Sequence, residues 1–125
     1  MRMITEATPP PLRVRGCLGV AQTHFGKRAG ERGIVSIPGD ALRVAVEWAA
    51  RQGRAEFLEP VFEIRGANFE LMRVMRFRAP EGVFFALISV EGVPVTLYDR
   101  AIMRKVRAKR RWQRKHARGT CAPPL

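Results

Sequence analysis

VFFALISVEGVPVTLY, residues 83–98, decides the fold. Two apolar runs flank Glu91-Gly92, a turn pair. The first, 83–90, is apolar at every position except Ser89. The second alternates Val93, Val95 and Leu97 with Pro94, Thr96 and Tyr98. Runs of β-branched and aromatic residues joined at a Gly-containing turn read as a β-hairpin. A strand apolar on both faces belongs in the centre of a sheet. Pro94 has no backbone donor, so its strand lies at an edge or begins at Pro94.

Working back toward the N-terminus, residues 69–77 predict another strand. Phe69, Leu71, Met75 and Phe77 share one face, and Arg73 falls on it too, at a bulge or at the rim. Met72 and Val74 take the other face beside Glu70, Arg76 and Arg78. Ala79-Pro80-Glu81-Gly82 turns the chain between the two strands. Residues 56–64 predict a further strand, with Pro60 at a bulge or edge position. Two helices precede these strands. Residues 21–32 carry Phe25 and Ala29 on one face, Thr23 as a cap and Gly33 as a stop. Gly26 and Gly30 each cost about 1 kcal/mol relative to Ala, so packing must hold this helix. Residues 41–52 follow, with Asp40 as cap and Leu42, Ala45, Val46 and Ala49 as the apolar stripe. Leu12, Val14, Cys17, Leu18 and Val20 suggest a short first strand. The expected fold is α+β and two-layered, an antiparallel sheet of four to five strands covered by two N-terminal helices, with a basic C-terminal helix. The chain divides into a flexible Pro-rich arm over 1–11, a core domain over 12–100 and a basic helical tail over 101–125.

The charge is uneven. Residues 1–99 hold 13 Lys and Arg against all 11 acids, a net +2; residues 100–125 hold ten Lys and Arg and no acid, a net +10. Asp99 can cap a helix over 100–117 that Ala101, Ile102 and Val106 dock to the body. Beyond Val106 the one large apolar residue is Trp112. Arg100, Arg104, Lys105, Arg107, Lys109, Arg110, Arg111, Arg114 and Lys115 form a phosphate-contacting surface, with Trp112 free to stack. The alternatives are a solvated tail and an anionic membrane surface, though the helix lacks the broad apolar face of an interfacial helix. No apolar run approaches the roughly 20 residues of a membrane span. The N-terminal stretch has no signal-peptide core. Cys17 and Cys121 stand alone, without disulfide or zinc spacing. A cytoplasmic protein with no metal or cofactor is the expectation.

Two further rows carry chemistry. His24, Arg28 and Arg32 lie four apart, a polar helical stripe with a proton carrier and two phosphate-holding guanidinium groups. Thr96, Tyr98 and Arg100 lie two apart, a hydroxyl, phenol and guanidinium row if Val93, Val95 and Leu97 face the core. The bland readings are an exposed or structural histidine and a polar outer sheet face.

These rows carry a resemblance. His24-Phe25-Gly26-Lys27-Arg28-Ala29-Gly30-Glu31-Arg32-Gly33-Ile34 followed, after a second helix and strands, by Val93-Pro94-Val95-Thr96-Leu97-Tyr98 resembles a small domain family of unknown function. That family is related to the RelE/ParE toxins and the barnase–EndoU–colicin–RelE ribonuclease superfamily. The resemblance spans about residues 21–100. It implies N-terminal helices on a curved antiparallel sheet and, in active members, metal-independent RNA cleavage. By it, His24 would be general base or acid, Arg28 and Arg32 would steady the phosphorane, and Thr96 or Tyr98 would position the phosphate. The partners would then be RNA or the ribosome and a cognate antitoxin. The alternatives are a non-enzymatic nucleic-acid- or ribosome-binding protein using the basic helix, and a phage or plasmid protein that binds another protein.

Overall fold

The computed structural model describes residues 1–7, 24–65 and 70–120, with side chains through 116. The suggested strand within 12–20, prolines 9–11, the cap at Thr23 and strand residue Phe69 lie outside the described residues. Helices α1 (His24–Glu31) and α2 (Gly39–Arg51) precede strands β1 (Glu59–Arg65), β2 (Leu71–Ala79), β3 (Gly82–Ser89) and β4 (Pro94–Tyr98), and helix α3 (Arg100–Thr120) follows. The strands form one antiparallel sheet in the order β1-β2-β3-β4. The fold is α+β, as the alternation and turn chemistry predict.

The strand β3 is central because both of its faces are apolar. Phe84, Ala86 and Ile88 point to one side, where they meet Phe77, Leu97, Phe57 and Leu58 and the buried stripes of α1 and α2. Phe85 and Leu87 point to the other, with Met72 and Val74 of β2. A β-strand alternates its side chains, so two apolar sets on one strand require cover on both sides. To the two expected layers the chain adds a partial third: Met103 of α3, only 1% exposed, packs on the second face with Val106 beside it. Ala101, expected to dock the helix, is exposed and Ile102 is half-buried.

Two irregularities decide where side chains point. The register of β1 against β2 shifts between Pro60 and Phe62, which makes Val61 an extra residue at the expected Pro60 bulge. A second shift, between Leu87 and Ile88 on β3, makes Val95 the extra residue of β4. Pro94 then faces Ile88, Leu97 faces Ala86, Thr96 faces Leu87 and Tyr98 faces Phe85. The bulge breaks the simple alternation expected for β4. Val95 and Leu97 serve opposite faces: Leu97 is buried against α1 and α2, whereas Val95 and Tyr98 pack on the α3 side. In β2 the register is unbroken, so Arg73 sits at the rim of the α2 face without a bulge.

The first residues pack on the body. Ile4 is fully buried and Ala7 nearly so; Arg2 N donates to the Glu56 carbonyl at 2.7 Å, and Met3 bridges Arg78 of β2. Residues 1–7, expected in a flexible arm, are thus a packed edge of the core. Asp40 also corrects the expectation. The cap position of α2 is Pro38, and Asp40 lies in the first helical turn, where its charge favours the helix dipole.

The weak helix α1 is held by a close crossing with α2. Gly26 is buried, and a Cβ built on Gly39 would lie 2.7 Å from the Gly26 Cα. Gly39 is bare so that its backbone can meet that of α1, and the close crossing falls at the helix-weakening Gly26. Gly39→Ala should therefore cost about 1–3 kcal/mol through forced separation of the helices. Gly30→Ala, in open space on the same helix, should gain up to about 1 kcal/mol. Urea unfolding midpoints of the two variants check this contrast.

A carboxylate ties the hairpin tip between β2 and β3 to the loop after α1. Glu81 Oε2 accepts from Val35 N at 3.0 Å and Ser36 N at 2.7 Å, and Oε1 accepts from the Ser36 hydroxyl at 2.7 Å. Desolvation opposes ionisation of Glu81, but the hydrogen bonds from Ser36 and Val35 outweigh it and hold the carboxyl below its usual range. A carboxyl depressed in the fold stabilises above its unfolded value near 4.5, and that stability fades as pH falls through the folded value. Glu81→Gln should lower stability at neutral pH and flatten the acid limb of a stability-against-pH curve relative to the parent chain.

Candidate nucleic-acid interface

Asp99 starts α3 as predicted: its Oδ1 accepts from Ile102 N at 2.8 Å, and its carbonyl accepts from Met103 N at 2.9 Å. From there α3 runs 21 residues, about 30 Å at 1.5 Å per residue. Its docked stripe is Met103, Val106, Arg107 and Arg110, at helical spacing. The two arginines are part of the contact. The Arg107 guanidinium lies 5.7 Å from the Phe85 ring centroid and that of Arg110 lies 4.7 Å from Phe62. Each such contact contributes about 0.5–1 kcal/mol at a partly exposed site. Cations thus continue a stripe that apolar residues began, which hid the docked face from a search for apolar periodicity. The detectable signal was on the sheet: Phe62 and Phe85 are rings on a face that otherwise had no cover.

The rest of α3 is exposed. Arg104, Lys105, Lys109, Arg111, Arg114 and Lys115 face solvent, and Trp112 is 59% exposed. The Trp112 ring stacks on His116 with centroids 3.8 Å apart, and His116 Nδ1 lies 2.9 Å from the Trp112 carbonyl. All 11 acids of the chain lie at described positions. Among the described residues, ion pairs join Arg2, Arg28, Arg43, Arg51, Arg54 and Arg76, for example, to glutamates of the body. Among the described residues, none of the nine Lys and Arg between 100 and 115 pairs with a carboxylate.

The other expected rows do not form one groove. α1 lies on the face that carries Leu97, with Phe25 and Ala29 in that core. Thr96 and Tyr98 point to the opposite face, toward Leu87 and Phe85, and Tyr98 packs in the α3 cluster. The sheet stands between them. On α1, His24 is exposed. Arg28 Nη1 donates to Glu31 Oε2 at 2.6 Å, and that bond first of all holds the Glu31 carboxyl below its usual range. Arg32 is half-buried, with its Nε enclosed and without a hydrogen-bond partner. Arg100 belongs to the first turn of α3 and not to a strand row. What the chain does bring together is Arg100, Arg104 and Arg107 with Arg76 of β2, around Val83 and Phe85. Strand alternation places Arg76 on the face of Met72 and Val74 but does not link it to the basic helix.

Among the described residues no three His, Cys, Asp or Glu side chains gather as a metal site, and no helix is long and apolar enough to cross a membrane. No family model, curated protein or solved structure matches the chain.

Because Met103 is the fully buried anchor of α3, Met103→Ala should destabilise the fold by about 2–5 kcal/mol. Ile102→Ala, at a half-buried position, should cost less. Chemical denaturation followed by tryptophan fluorescence ranks the two.

Proposed function

We propose that the protein binds nucleic acid without cutting it, with RNA as its partner, free or within the ribosome. The observation that carries this reading is the run of nine Lys and Arg on α3 with no carboxylate partner. An unneutralised helix of this kind is costly by self-repulsion and gains most from a polyanion, whose bound counterions are released on contact. Exposed Trp112 adds a stacking surface for unpaired bases, which favours single-stranded or looped RNA over a closed duplex.

The resemblance to RelE/ParE relatives supports the same class of partner. The observed order of two helices and then an antiparallel sheet is the one that resemblance implies, and the basic terminal helix lies beyond the span it covers. A toxin-like cleavage, with a cognate antitoxin to restrain it, would require His24, Arg28 and Arg32 to share a groove with Thr96 and Tyr98. Their placement on opposite sides of the sheet favours the binder over the ribonuclease.

Binding of labelled RNA should weaken steeply with salt, with log K falling by about 0.7 per phosphate contact on single strands. Arg111→Gln, Arg114→Gln and Lys115→Gln together should reduce that slope by about 2 while leaving the unfolding midpoint near that of the parent, since none of the three has a partner in the body. An unchanged slope would reject α3 as the contact.

A further inference from the structure

We infer that the cleft between the start of α3 and the sheet holds a phosphomonoester, the 5′-phosphate end of an RNA strand. This rests on the RNA-binding reading above and specifies which part of the strand meets the body of the protein. The cleft is about 300 Å³ and is lined by Arg76, Val83, Phe85, Arg100, Arg104 and Arg107. Four guanidinium groups from two elements therefore face one space, and its apolar lining comes from Val83 and Phe85.

The charge balance of this space selects its ligand. Arg76 is the one member with a carboxylate partner, Glu59 of the neighbouring strand, and the Arg76 Nε is enclosed without a hydrogen bond. Arg100 and Arg104 have no carboxylate partner, and Arg107 is steadied over the Phe85 ring. After Glu59 is counted, about three positive charges remain around the cleft. An internal phosphodiester carries one negative charge and is flanked on both sides by sugar. A terminal monoester carries close to two at neutral pH and has three oxygens open to donors. Guanidinium forks bind such oxygens two at a time, and the apolar lining weakens the screening of their charge. The exposed turns of α3 beyond Arg110 then receive the phosphates that follow along the strand.

The test compares two short single-stranded RNAs of one sequence, labelled at the 3′ end, one with a 5′-phosphate and one with a 5′-hydroxyl, by fluorescence anisotropy with the full chain. The phosphorylated strand should bind roughly tenfold tighter, the scale of an added charge-assisted pair. Arg104→Gln should narrow that gap, whereas Lys115→Gln, on the exposed part of α3, should weaken both strands and keep it. Glu59→Gln should widen the gap, because it frees Arg76; a gain of this kind cannot come from a damaged fold. Equal binding of the two strands would overturn the terminal-phosphate pocket and leave the RNA-binding reading standing. Failure of both strands to bind would overturn both.

Discussion

The constraint that organises this molecule is a central strand with no polar face. Phe84, Ala86 and Ile88 on one side of β3 and Phe85 and Leu87 on the other are all buried. One face is closed by α1, α2 and the N-terminal residues around Ile4, the other by the first turns of α3. The hydrophobic demand of the sheet therefore reaches into the most charged part of the chain. It draws Met103 and Val106 inward, and the helix that carries them is fixed with its remaining faces outward. Display of the cations is a by-product of covering the sheet.

Charge separation follows from the same arrangement. Glutamates of the body pair with body arginines across helix turns and neighbouring strands, as Glu47 does with Arg43 and Arg51 and Glu59 with Arg76. Those pairs are partly exposed and individually weak. Each of these glutamates is turned to the body, and none of them pairs with a cation of α3. The protein thus carries a nearly neutral globule and a strongly cationic helix in one folded unit, joined by the single capping residue Asp99.

Much of the architecture was legible because it rests on local chemistry. The alternation of β2, the double-sided β3, the Ala79–Gly82 turn and the Asp99 cap each have a short-range cause that residue types reveal. Features that depend on distant partners were not legible. Ile4 reads as part of an arm until the edge beside Arg78 and Glu56 exists to receive it. The Glu81 link to Val35 and Ser36 joins residues 45 or 46 apart in the chain. The extra residue at Val95 matters most for the candidate site, because one inserted residue reassigns which side chains share a face. The rows on α1 and β4 are each correctly spaced, but spacing within an element says nothing about which side of the sheet the element serves. The cationic surface of α3 needed no such information, since it depends on composition and on one capped helix.

The mode of attachment of α3 has a consequence for how its outer half folds. Arg100 and Arg104, Lys105 and Lys109, Arg107 and Arg111, Arg110 and Arg114, and Arg111 and Lys115 are like charges four residues apart, and each such pair disfavours a helix by about 0.2–0.5 kcal/mol. Alone, this segment would struggle to begin a helix, because the first turn is the unfavourable step. Here Asp99 and Met103 supply that turn ready-made from the globule, so the remaining residues need only propagate. Propagation gains little per residue against this repulsion, and it gains more once phosphates neutralise the side chains. The globule is thus a template for its own cationic helix, and under the RNA-binding reading proposed above the stability of the turns beyond the last docked residue becomes a quantity that a polyanion raises.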